Sequence, residues 1–196
     1  MPPKTTFSKE DVLQAAFSLV EKKGLKELTA RNVAAKLDSS TAPVYSSYDS
    51  IELLEKEVVQ QAIELVLEYA RRKYTNINFL NVGVGITKFA KEHQMLYKSL
   101  FMEQNDYSKI LKDFEKELNN DLDKEPILAE LSDIARKEIL VKMEIFSHGL
   151  GALICVGHFN HCSDEEIVKL LYDVGSAVIS DSLNPASAAS KAIILV

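Results

Sequence analysis

An all-α chain is what the residue pattern dictates. Apolar positions recur every three or four residues along most of the 196 positions. Capping residues stand before these runs, and glycine or cations after them. Seven glycines and five prolines are few, and the alternating β-branched runs of a sheet protein are scarce. Apolar residues at 46% and charged residues at 27% are ordinary for a globular protein, and the length supports a real core in one or two domains.

The elements follow in order. Ser8 can cap a first helix with Asp11 at the capping-box position, and Phe7 can staple onto Val12. Val12, Ala15, Ala16, Leu19 and Val20 make its apolar face, and Gly24 ends it. Leu28 and Thr29 start a second, short helix with Val33, Ala34 and Leu37 inside, broken by Asp38 and Ser39. Ser40 or Thr41 can cap a third, with Pro43 in its first turn, where the missing N–H has no helical partner to lose. From Ser50 a long helix runs through Ile51, Leu54, Val58, Ala62, Leu65 and Tyr69 to the cations Arg71, Arg72 and Lys73. The stretch 74–81 reads as a connection. Helical spacing returns over 82–93, 94–104 and 107–120, then in a long helix with Pro126 in its first turn, whose apolar stripe slips by five between Ile134 and Ile139. A last helix opens on the capping box at Ser163 and Glu166. Residues 186–196 are low in complexity and are expected to form a flexible tail.

The third helix raises the functional question. "STAPVYSSY", Ser40 to Tyr48, holds hydroxyls and small side chains but no charge. Two short helices joined by a tight turn have the size of a helix-turn-helix, whose second helix enters the DNA major groove. Such a helix needs small, hydroxylated residues so that its backbone can approach the bases. Ser40, Thr41, Ala42 and Ser46 meet that need, and hydroxyl groups bind phosphate without any lysine.

Over roughly residues 9–58 the chain resembles the DNA-binding domain of the TetR family of bacterial transcriptional regulators. The resemblance rests on "AAF.L....G", "LT.R.VA..L", "VY..Y" and a polar turn before "LL". "FSHGLGAL" and "SDEEI" are similar to segments in the last two helices of many members. The resemblance implies a helix-turn-helix domain over 1–49 and a helical ligand-binding and dimerisation domain over 50–185. Arg31 and Lys36 would approach phosphates, Thr41, Ala42 and Pro43 would face base edges, and Tyr45 would donate to a phosphate. Tyr48 would pack as an anchor. Asp38 replaces the usual turn glycine, and Asp49 and Ile51 stand where the family often carries lysine.

The charge distribution fits an anionic partner at the N-terminal end. The net charge is -6, yet residues 1–50 carry seven basic and six acidic residues, against 16 and 23 in the rest. Aromatics and methionines in the middle helices, among them Phe89, His93, Tyr97, Phe101, Met143 and Phe146, are either core or the wall of an effector pocket. Small residues such as Gly149, Gly151, Gly175 and Ala177 let the last two long helices approach closely; the resemblance implies homodimerisation there, with Gly175 and Val178 expected at the interface.

Cys155, His158, His161 and Cys162 have metal-ligand chemistry, but on a continuous helix they span two faces, so a break near Gly157 would be needed for zinc. A buried thiol and helix-end histidines are the expectation, with no metal and no cofactor. Gly83 and Gly85 lack the third glycine and the strand of a dinucleotide fingerprint, and no nucleophile motif or phosphate loop is present, so no enzyme activity is expected. With no signal peptide read before Phe7 and the longest apolar run far short of the ~20 residues of a membrane span, a cytoplasmic protein is expected. The expected function is a repressor, released from an inverted-repeat duplex operator by a small molecule. The alternatives are a helical ligand-binding or scaffolding protein with a degenerate helix-turn-helix, and a metal or redox sensor centred on the two cysteines.

Overall fold

The computed structural model describes residues 7–122, 125–129, 131–159 and 161–183; the tail expected to be flexible lies outside them. Every regular element among the described residues is helical. In order these are α1 (Lys9–Lys23), α2 (Ala30–Lys36), α3 (Ala42–Ser47), α4 (Ile51–Arg71), α5 (Asn78–Glu92) and α6 (Gln94–Tyr97), which runs into a π turn at Lys98–Met102. Then follow α7 (Ser108–Leu122), α8 (Pro126–Ala129), α9 (Asp133–Cys155) and α10 (Asp164–Leu183). They gather into two compact units. The first holds the chain up to Val66 and Glu92–Phe114; the second holds Leu67–Lys91 and the chain from Glu115 onward.

In the first unit the local signals act as written. Ser8 caps α1 reciprocally with Asp11: its Oγ accepts from the Asp11 N–H at 3.1 Å, and the Asp11 carboxylate accepts from the Ser8 N–H at 2.8 Å. That bonding holds the Asp11 carboxyl below its ordinary range. Gly24 takes φ 86°, a left-handed value that suits glycine, and a 3₁₀ turn at Leu25–Glu27 leads to the Thr29 cap of α2. Val12, Ala16 and Val33 are fully enclosed where α1, α2 and α3 pack on one another.

The same unit also takes in residues 92–114. Three contacts hold the later segment to the α1–α2 connection. His93 Nδ1 lies 3.1 Å from the Glu21 carboxylate, Ser99 Oγ accepts from the Leu25 N–H at 3.1 Å, and Lys26 pairs with Glu103 at 3.1 Å.

The second unit is built around α5, α9 and α10. Phe79, Val84, Ile139, Ile154, Ile167 and Leu171 form its centre. Lys88 and Lys91 of α5 both reach Asp164 at the start of α10, and Lys91 also donates to the Cys162 carbonyl at 2.9 Å. These lysines pull the Asp164 carboxyl below its usual range. Arg71 spans Glu117 and Asp121 at 2.7 Å each.

Three elements differ from the expectation. The stretch 74–81 is only partly a connection: α5 begins at Asn78, because buried Asn81 locks the approach. Its Oδ1 accepts from the Tyr74 and Thr75 N–H groups at 3.2 and 2.7 Å, and its Nδ2 donates to the Thr75 carbonyl at 3.1 Å. The helix expected over 94–104 is one short α segment and a π turn, whose end is closed by Asn105 donating to the carbonyls of Ser99, Leu100 and Glu103. The long helix expected from Pro126 is two helices, because Ser132 is extended and caps α9 through the Ala135 N–H at 3.3 Å. The five-residue slip lies inside α9 instead, where Ile134 in the first turn is 78% exposed and Ile139 is buried. Gly175 is buried, its Cβ position 3.5 Å from the Met143 methyl, and Val178 is half-buried against the unit's core.

One glycine fixes the second unit. A Cβ at Gly85 would stand 2.2 Å from the Tyr69 carbonyl oxygen, backbone against backbone, with no side chain that can yield. Gly85→Ala is expected to cost about 3 kcal/mol through overpacking. Gly149→Ala, whose Cβ meets nothing within 4 Å, serves as the control. Urea unfolding of both variants decides; equal midpoints would contradict this packing.

Candidate nucleic-acid interface

α3 has only six residues, and its two faces differ completely. Val44 is enclosed, and Tyr48, which ends the helix, is 4% exposed. Thr41, Ala42, Tyr45 and Ser46 point to solvent, Pro43 is half-buried in the first turn, and Tyr45 is 57% exposed. A tyrosine so open on an otherwise ordered helix is not an anchor of the fold.

The hydroxyls are unequal. Those of Thr41 and Tyr45 bond to no described residue and can donate outward. Ser46 Oγ donates to the Pro43 carbonyl at 2.9 Å, and Ser40 Oγ accepts from the Ala42 N–H at 3.4 Å. Arg31 and Lys36 on α2 are exposed and pair with no described carboxylate. The eight residues Arg31, Lys36, Ser40, Thr41, Ala42, Pro43, Tyr45 and Ser46 thus belong to α2, α3 and the turn between them, in one compact unit. The turn closes through Asp38 at φ 49°, the left-handed conformation anticipated for that position. An aspartate tolerates it better than most residues do.

A bracket missed by the pattern reading sets α3 on α4. The Tyr48 phenol donates to Glu57 at 2.7 Å, and Lys9 pairs with the other Glu57 oxygen at 2.5 Å while lying 4.7 Å from the Tyr48 ring centroid. Lys9 and Tyr48 together hold the Glu57 carboxyl below its ordinary range. Only the position of Glu57 six residues into α4, on the side facing α1, marks it; a periodicity search passes over it as a surface acid.

The residues expected around an effector divide between the units. Tyr97 and Phe101 stack at 5.1 Å in the first unit, Phe101 lies 6.1 Å from Phe114, and His93 meets Glu21. Phe89, Met143 and Phe146 belong to the second, where fully buried Phe89 packs edge-on to Tyr69 at 5.7 Å. The cysteine–histidine cluster has the break its zinc reading required, since Gly157 takes φ 90°. Cys155 instead donates to the Ala90 carbonyl at 3.4 Å, and burial pushes the Cys162 thiol up. Among the described residues no three such side chains gather as metal ligands, and no helix is long and apolar enough to cross a membrane.

No family model and no curated protein matches the chain. Among solved structures it is similar to the crystal structure of a TetR-like transcriptional regulator from Rhodococcus sp. RHA1, at a TM-score of 0.61 over 88% of this chain and 95% of that one. The fold is TetR-like. Identity between the two is 15%, so the shared TetR-like architecture is carried by helix pattern and packing rather than by particular residues.

The bracket gives a pH signature. Burial and the Glu57 carboxylate raise the Tyr48 phenol above its ordinary value, and burial with Glu55 does the same to Tyr107 in the same unit. The folded state therefore holds protons that the unfolded chain releases near about pH 10. Stability from these groups is complete below that pH and is lost as pH rises above it. Urea unfolding followed into the alkaline range should show a shallower decline in Tyr48→Phe than in the unaltered protein. Parallel declines would show that the phenol is not held this way.

Proposed function

We propose that the protein is a DNA-binding transcriptional repressor, read into the duplex by α3 and working as a homodimer. The observation that carries this reading is the pair of unbonded, exposed hydroxyls of Thr41 and Tyr45 on a short helix whose opposite face is buried, within a TetR-like fold. Residues 1–49 form the reading head in this account. Thr41, Ala42 and Pro43 approach base edges, Tyr45 donates to a phosphate, Ser40 and Ser46 line the approach, and Arg31 and Lys36 neutralise flanking phosphates. Selection of bound sequences from random duplex DNA should return an inverted repeat, since two-fold proteins read two half-sites. Recovery of no duplex would favour a helical scaffold with an idle helix-turn-helix. Tyr45→Phe should weaken the selected site by about 1–2 kcal/mol without altering the thermal midpoint. Unchanged affinity in Tyr45→Phe combined with Thr41→Ala would remove α3 from the groove.

A single short helix reads DNA weakly, and α9 carries a surface suited to a second copy. Ile134, Val141, Ile145, Ala152 and Val156 step by seven, four, seven and four along the chain, with Ile145 68% exposed. Leu170 and Tyr172 of α10 are also open. Ile145→Glu would bury an unpaired charge at such an interface, so sedimentation should show dimers of the unaltered chain and monomers of the variant. Dimers in both would place the contact elsewhere.

Release by a small molecule completes the proposal. Phe101 lies in the π turn, a feature common at functional sites, with Tyr97 and His93 just before it, and the same segment touches Glu21 and Leu25 of the reading head. An effector preferring a rearranged form of this segment would move the Gly24–Leu25 connection. Passing from 1:99 to 99:1 between bound and released forms needs about 5.5 kcal/mol of differential affinity.

A further inference from the structure

A groove of about 450 Å³ opens between the first turn of α1, the end of α3 and the first turns of α4. Its volume is in the range of small-molecule sites. The charges that line it fall into two classes. Lys9 and Glu57 pair with each other, and Glu57 also accepts from the Tyr48 phenol. Asp49 and Lys56 are exposed and pair with no described residue.

One carboxylate and one ammonium are therefore left open in the same groove. A bare anion satisfies Lys56 and is opposed by Asp49; a bare cation meets the reverse. An occupant carrying one charge of each sign satisfies both. Leu53 stands between the two in the chain and is 48% exposed, which offers an apolar surface to the middle of that occupant. The Ser47 hydroxyl bonds to no described residue and can meet a peptide group.

The spacing sets the length. Asp49 lies just before α4, and Lys56 lies five residues beyond Ile51, its first residue, a rise of about 7.5 Å along the helix. Two extended residues span about 7 Å, whereas the two charges of a single amino acid stand on one Cα. We propose that this groove binds a zwitterionic dipeptide with apolar side chains, its carboxylate on Lys56, its ammonium on Asp49 and an apolar side chain on Leu53. None of these three residues takes part in the proposed reading of DNA, so the site is tested without any duplex.

The test is titration of the full chain with leucylleucine, followed by calorimetry and by the amide shifts of α4. The unaltered protein should bind it. Lys56→Gln and Asp49→Asn should each weaken binding about threefold to fivefold, the worth of one exposed ion pair. Leu53→Ala should weaken it as well, and the two charge variants combined should abolish it. Lys112→Gln, which removes an exposed lysine of α7, should bind as the unaltered protein does. The same dipeptide with both ends blocked, and so without charge, should not bind. Absence of leucylleucine binding, or equal binding of the blocked form, overturns the proposal. A loss confined to Lys56→Gln, with inorganic phosphate as an effective competitor, marks a simple anion site and overturns it too. Equal thermal midpoints establish that the variants are folded.

Discussion

A helix of six residues has almost no stability of its own, since nucleating its first turn costs more than so few hydrogen bonds return. α3 exists because something else holds it. Val44 is pressed between α1 and α2, Tyr48 closes the helix from below, and Glu57 takes the Tyr48 proton-bearing oxygen. Everything exposed on α3 follows from that arrangement. With two residues committed to the interior, the others are free to be chosen for an outside partner. Glu57 and Lys9 set the angle at which they are offered, because the bracket joins the first turn of α1, the end of α3 and the second turn of α4.

Much of this was legible in the residues, and the reason is local. Capping boxes at Ser8 and Ser163, the Thr29 cap, Gly24 and Pro43 act through neighbours within four residues, and such signals survive without knowledge of the fold. Asp38 was readable for the same reason: the turn needs a positive φ and aspartate can supply it. Asn81 misled because three asparagines close together look like a loop, whereas one of them closes that loop by taking its N–H groups. Ser132 was hidden by a stripe that seemed to continue through it. The π turn at Lys98–Met102 has no sequence period, since it follows from the Ser99–Leu25 bond and the Asn105 cap, which are tertiary facts.

The candidate site divides along the same line. Its outward residues are conspicuous by chemistry, a run of hydroxyls without charge. Its support is not, because Glu57 looks like any solvated acid on a long helix. The aromatic set shows the limit of composition as a guide. Phe89 and Tyr97 are equally suggestive in the sequence, yet they belong to different compact units, each enclosed in its own packing.

The contact at Gly85 has a mechanical side. Helices that meet through interlocking side chains shift in steps, because each rotamer must jump before its neighbour can follow. At Gly85 the α5 backbone lies directly on the Tyr69 carbonyl and the Ala70 Cα, with no side chain between them. Such a contact has no teeth. The separation of α5 from the end of α4 is therefore set by main-chain atoms, which no change of rotamer can adjust.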